Sequence, residues 1–172
     1  NLPGALSVIS VANKSDLFNA PETYMNKISA NVKEAKVVDL DYSIKKNVYN
    51  LADYKNKNPK DLTVCLLDRP RHKEIITELK NLNVNLKLIT DGDVSGALLV
   101  TDSKYGVDMF LGIGGGPEGV LAASALDAFG CKFQGRFIFE TDKDKLRAKK
   151  MGIKNFDKKY ELNEIIQGDS IF

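Results

Sequence analysis

Apolar residues along the chain fall into short runs of strand length, each followed by a polar cluster and then by helical periodicity. The run LTVCLLD (Leu62–Asp68) precedes HKEIITELKNLN, whose apolar residues recur at helical spacing. NLKLIT (Asn85–Thr90) precedes VSGALLV, and VDMFLGIG (Val107–Gly114) precedes PEGVLAASALDAFG. The last segment has the Ala/Leu composition of a helix, with Gly130 as its expected C-cap. Near-continuous apolar strands alternating with helices predict a parallel sheet covered on both faces.

Flanking segments extend the pattern. GALSVISVA (Gly4–Ala12) reads as a strand, and NAPETYMNKIS (Asn19–Ser29) as an N-capped helix with Pro21 in its first turn. QGRFIF (Gln134–Phe139) is a further strand, and DKDKLRAKKMGI (Asp142–Ile153) a solvated helix of mixed charge. ADYKNKNPKD (Ala52–Asp61) reads as a loop or helix end without chemistry. The chain starts at Asn1 and stops at GDSIF, an unfinished strand, so the expectation is a single α/β domain cut from something longer.

Composition narrows the partners more than the fold. The 172 residues carry 25 basic and 23 acidic side chains, a net charge of +2 without the basic stripe of a nucleic-acid surface. No apolar run reaches the roughly 18–20 residues of a membrane span, and the start lacks a signal-peptide pattern. Cys65 and Cys131 show no ligand spacing, and Cys65 sits in an apolar run, which favours an inert buried thiol in a reduced cytoplasmic protein. His72 is the single histidine, so any metal must be bound mainly by oxygen, which means a hard ion such as Mg²⁺ or Mn²⁺.

Ligand crevices of parallel sheets lie beyond the carboxyl ends of the strands. There the chain presents DRPRH (Asp68–His72), DGD (Asp91–Asp93) and LGIGGGPEGV (Leu111–Val120). In the first, Pro70 stiffens a turn between Arg69 and Arg71, whose guanidinium forks match phosphate oxygens; the plain alternative is a helix start with exposed charges. In the second, an Asx-type turn at Gly92 competes with sugar-hydroxyl recognition or a hard-metal site. The third packs five glycines into eight residues and satisfies G-x-G-x-x-G through Gly114, Gly116 and Gly119, with the acid Glu140 after the next strand as in a dinucleotide fold. Glu118 speaks against that reading. It would stand in the first helical turn, where pyrophosphate should bind, and a carboxylate there repels phosphate unless a divalent cation lies between them. Otherwise it is an acid favoured by the helix dipole.

LFNAPETYM, DRPRH, DGDVSGAL and GIGGGPEGVLAASAL followed by QGR together resemble, in order and spacing, the class II (GlpX-like) fructose-1,6-bisphosphatases, from about Pro3 to Phe172. The resemblance implies a layered α/β sugar-phosphatase fold related to the inositol monophosphatases. It implies hydrolysis of the 1-phosphate of fructose 1,6-bisphosphate (a gluconeogenic step) with Mn²⁺ or Mg²⁺, in a cytoplasmic dimer or tetramer. Glu118 matches a metal ligand of the family. Tyr24, Arg69, Pro70, Arg71, Asp91, Gly92, Asp93 and Gly115 match substrate-binding positions, the arginines suiting the phosphate that is not cleaved and Asp91–Asp93 the sugar. Other members often carry lysine where Arg69 stands. The family's other metal ligands and its catalytic threonine lie in a Gly-Glu-Gly-Glu segment and an Asp-Pro-Ile-Glu-Gly-Thr loop, which this chain lacks, as it lacks the Ala-Thr-Gly that usually follows DSIF. The expectation is half of an active site, holding metal weakly and inactive alone. A phosphosugar-binding module without catalysis is the alternative.

Overall fold

The computed structural model describes residues 7–172. Its centre is a six-stranded sheet built from β2 (Tyr24–Ala30), β3 (Thr63–Leu67), β4 (Asn85–Ile89), β5 (Met109–Gly115), β6 (Lys132–Ile138) and β7 (Lys159–Glu161), in the order β4-β3-β5-β2-β6-β7. Helices α1 (Ile44–Lys55) and α2 (Lys73–Asn81) cover one face. The other is covered by α3 (Asp93–Leu98), α4 (Gly116–Ala128), α5 (Asp142–Lys150) and α6 (Leu162–Ile165). The result is a layered α/β architecture. Two short strands, β1 (Val11–Ala12) and β8 (Ser170–Ile171), pair antiparallel apart from this sheet, with Ser124 of α4 hydrogen-bonded to both Ser10 and Ser170.

The three repeated units are present: β4, β3 and β5 are parallel neighbours. The expectation of a parallel sheet throughout is corrected beyond them. β2 enters antiparallel between β5 and β6, and β7 runs antiparallel to β6, so the sheet is mixed.

The largest correction concerns Asn19–Ser29, which is not a helix. Pro21 starts a three-residue turn closed by Thr23 N–H on its carbonyl at 2.8 Å, and the chain then runs extended through β2 at the middle of the sheet. Lys27 and Ser29 are both fully buried, so the strand shows no apolar/polar alternation to announce it. Of Gly4–Ala12, residues 4–6 lie outside the described residues; from the remainder only Val11–Ala12 pairs, and Val8, Ile9 and Val11 are exposed.

Helix α1 was not anticipated beyond its end. Ser43 caps it through its hydroxyl on Lys46 N–H, and Asn56 closes it in the left-handed region at φ 52°. The expected end of α4 is seen as a Schellman motif: Gly130 at φ 58° lets Cys131 N–H reach the Leu126 carbonyl at 3.0 Å. α5 starts on a capping box between Thr141 and Asp144.

Leu62, Leu66, Leu79, Val48 and Leu51 fill the layer under α1 and α2, each large aliphatic chain contributing about 1.5–3 kcal/mol by leaving water. Phe110, Phe133, Met25 and Leu126 fill the other. Burial pushes the Cys65 thiol up to about 11, which suits an inert core cysteine. At the edge away from the crevice, the buried carboxylate of Asp108 is held by Lys55 and Lys57 at 2.9 Å each and by Thr63 N–H, giving the Ala52–Asp61 connection a structural task.

Candidate active site

Because β2 runs antiparallel, its first residues reach the same edge as the last residues of β3, β4 and β5. Tyr24, Arg69–Arg71, Asp91–Asp93, Gly115 and Glu118 therefore all lie along one sheet edge.

Arg71 and His72 are tied to the glycine strand by its backbone. The ladder between β3 and β5 covers only Val64↔Met109 and Cys65↔Phe110, so beyond Phe110 the edge of β5 has no strand partner on that side. The 3-10 turn Pro70–His72 steps in instead. Arg71 Nε donates to the Ile113 carbonyl at 2.8 Å, and Ile113 N–H donates to His72 Nε2 at 2.8 Å. Arg71 also lies over the Tyr24 ring, 4.9 Å from its centroid. Its Nη groups have no hydrogen-bond partner among the described residues. Arg69 faces Asp91 more loosely, at 3.9 Å in an exposed pair worth about 0–1 kcal/mol.

His72 is fully buried, and its tautomer follows from its partners. Nδ1 meets the Leu67 carbonyl at 2.7 Å, which can only accept, so Nδ1 carries the proton and Nε2 stays bare for Ile113 N–H. Burial pushes its pKa below the ordinary 6.5; the Leu67 carbonyl and Asp93 act upward, and Arg71 acts downward. The unfolded chain thus takes up a proton that the folded protein resists. The stability from this linkage is present above the unfolded pKa and is lost as pH falls through it toward the folded value. Melting temperature should therefore decline between pH 7.5 and 5.5, and less steeply in His72→Gln. Parallel slopes for the two proteins in thermal melts across that window would show that His72 is not the responsible group.

Glu118 sits in the first turn of α4, exposed, in a cleft of about 520 Å³. Glu22, Tyr24, Gly115, Glu140 and Asp144 line the same cleft. Gly115 lies close beneath the Glu118 carboxylate, where a Cβ would stand 1.9 Å from Glu118 Oε2. The helix start is poorly equipped for pyrophosphate. Gly116 N–H is taken by the Thr23 carbonyl at 2.7 Å, Pro117 has no N–H, and four carboxylates share the cleft. The dinucleotide reading of the glycine motif fails on these grounds, and Glu140, which suggested it, is one of the four acids.

The oxygen donors of these carboxylates are of the kind that hard divalent cations take. Among the described residues no group of three His, Cys, Asp or Glu side chains comes together as a metal site.

Asp93 begins α3 and lies against Gly114, whose Cβ would come within 2.0 Å of Asp93 Oδ2. Gly92 before it takes φ 88°, as the DGD turn required. The partner of Asp93 is Lys27, which sequence reasoning missed inside the misassigned segment. Burial pushes the Lys27 amine below the usual lysine range, while Asp93 and Glu118 act in the opposite direction. The available signal was a lone charge in YMNKISA, a stretch otherwise free of charged residues. Asn26 was missed too; its Oδ1 is buried without a donor among the described residues.

Comparison with known proteins now gives these residues a context. The family model described as bacterial fructose-1,6-bisphosphatase, glpX-encoded, matches residues 1–172. The chain is 36% identical to a D-fructose 1,6-bisphosphatase class 2/sedoheptulose 1,7-bisphosphatase of Synechocystis sp., over 98% of this chain and 52% of that protein. Proteins of the same name from Microcystis aeruginosa and Synechococcus sp. are 35% and 34% identical over the same shares. The chain thus spans about half the length of the curated relatives it matches. No described helix is long and apolar enough to cross a membrane. With its family model matched from the first residue to the last, the chain belongs to the glpX-encoded bacterial fructose-1,6-bisphosphatase family.

Proposed function

We propose that this chain is the substrate-binding part, with one metal ligand, of a phosphatase that removes the 1-phosphate of fructose 1,6-bisphosphate. The observation that carries the reading is the meeting, at one sheet edge, of a backbone-anchored Arg71 stacked on Tyr24 with an acid-lined cleft around Glu118. The names of the relatives add sedoheptulose 1,7-bisphosphate as a second candidate substrate. We also read the fold as the layered sugar-phosphatase type related to inositol monophosphatases, supported by the helices on both sheet faces and the site at the sheet edge.

On this reading Glu118 would hold Mn²⁺ or Mg²⁺, which when bound neutralises phosphoryl charge and acidifies a water molecule. Arg71, fixed through Nε, offers its Nη fork to the phosphate that is retained, with Arg69 beside it on the turn stiffened by Pro70. Asp91 and Asp93 accept hydrogen bonds from sugar hydroxyls, Gly92 permits the turn between them, and Gly115 lets backbone approach the ligand. The nucleophile machinery belongs to upstream segments that the family resemblance supplies. The lack of a three-ligand cluster among the described residues favours one other reading, a phosphosugar-binding module without catalysis.

A test uses phosphate release from fructose 1,6-bisphosphate by the full-length protein with Mn²⁺. Arg71→Ala should raise KM at least about tenfold and lower kcat far less, since contact with a remote phosphate is equal in ground and transition states. A hundredfold fall in kcat at constant KM would move Arg71 to the reacting phosphate. No turnover in the wild type, with the bisphosphate still bound, would favour the binding module.

A further inference from the structure

Lys27 is among the largest fully buried side chains of the described residues, and it carries a charge at the middle of the sheet. Taking such a charge out of water is costly and is repaid only when partners are well placed, so its retention calls for a reason. The sheet is shaped around it. Lys27 stands in register with Gly112 on β5 and Gly135 on β6, so both lateral neighbours on its face lack side chains. A Cβ on Gly119, in α4, would lie 3.3 Å from Lys27 Cε. The stem carries its ammonium to Asp93, with which it pairs at side-chain exposures of 1% and 12%. The Glu118 carboxylate also acts on it electrostatically.

We propose that Lys27 is a positioning residue, which holds Asp93 against Gly114 and sets the charge balance beside Glu118, coupling sugar binding to cation binding through one ammonium. It is too buried to touch substrate itself. This rests on the proposed function above, in which Asp93 meets the sugar and Glu118 the cation. The glycines around the pair have separate neighbours: Gly114 makes room for Asp93, Gly112 for His72 and Gly135 for Met25, while Gly119 makes room for Met25 and the end of the Lys27 stem.

Charge arithmetic gives the proposal a signature that a merely structural lysine lacks. Lys27→Met removes one positive charge beside Glu118, so the Mn²⁺ midpoint for activity of the full-length protein should fall about three- to tenfold. Asp93→Asn leaves Lys27 uncompensated, and its midpoint should rise by a similar factor. Lys27→Met/Asp93→Asn restores the balance and should return the midpoint close to wild type. KM for fructose 1,6-bisphosphate should rise about tenfold or more in all three, with the double variant no worse than the worse single one. The double variant leaves no buried charge unpaired, so it remains informative if Lys27→Met alone folds poorly. Midpoints that rise together in all three, or KM effects that simply add, overturn the proposal. Glu118→Gln is the control for the underlying reading. If it leaves the Mn²⁺ midpoint unchanged, the cation role of Glu118 falls and this proposal with it; if it shifts the midpoint while Lys27→Met does not, only the role of Lys27 falls.

Discussion

Glu118→Gln should reduce phosphate release by the full-length protein on the order of a hundredfold or more and shift the requirement for Mn²⁺ to higher concentration. Groups that merely support a ligand typically change metal affinity or activity by about 10–100-fold, and a direct ligand should do no less. Glutamine keeps the shape beside Gly115 and removes only the charge that, on the proposed function, would hold a hard ion. A different outcome follows if the carboxylate only complements the helix dipole at the start of α4. The substitution then loses about 0.3–1 kcal/mol of stability and leaves turnover intact. The two are separated by a metal titration of activity combined with melting curves of the metal-free protein. The ligand role requires collapsed activity with a nearly unchanged melt. A modestly lowered melt with normal turnover and an unchanged metal midpoint would leave Glu118 as a helix-start acid.

A second large effect is expected from a single methyl group. Gly114 does not take positive φ, so alanine is acceptable to the backbone and the effect of Gly114→Ala comes from space alone. Its Cβ would stand 2.0 Å from Asp93 Oδ2 and 2.7 Å from Cγ, well inside any contact distance. The carboxylate must move by about an ångström, which disturbs its pairing with Lys27. Overpacking of this kind loses about 1–3 kcal/mol, and separating a buried pair adds to it. Chemical denaturation should therefore show a clear loss of stability, and KM for the bisphosphate should rise tenfold or more. The same methyl group introduced into Asp93→Asn should add little further to KM, because the contact it disturbs is already impaired. Equal increments in both backgrounds would show that Gly114 acts on something other than Asp93.

The repeated units were legible because β3, β4 and β5 combine apolar runs with polar turns at their carboxyl ends, and α4 ends on a glycine that only a C-cap explains. What misled was the chemistry of β2. Its buried faces carry Lys27, Ser29 and Asn26, so neither helical nor alternating periodicity is present, and Pro21 imitates a helix start. Its insertion between β5 and β6 leaves no mark on local pattern, since strand order is set by packing between distant segments. α1 was legible and passed over: Ser43, then Ile44, Val48, Leu51 and Ala52, is an N-cap followed by one apolar stripe. The candidate site residues were picked out by turn chemistry and family likeness, whereas their partners were not. Lys27, the Ile113 backbone and the acids Glu22 and Asp144 reach the site by tertiary folding alone.

Ile113 gives both its N–H and its carbonyl to side chains of the DRPRH turn, in place of a neighbouring strand. On the proposed function, recognition and architecture are consequently under one selection at Arg71, with His72 beside it serving the architecture. A growth-selected library randomised there would report mainly cellular abundance, because most replacements would leave the edge of β5 open before any change in specificity could register. Arg69 is the freer coordinate. Its side chain makes no hydrogen bond to the sheet and meets Asp91 only across 3.9 Å, so on the proposed function retuning toward a longer or shorter sugar bisphosphate should begin at that position.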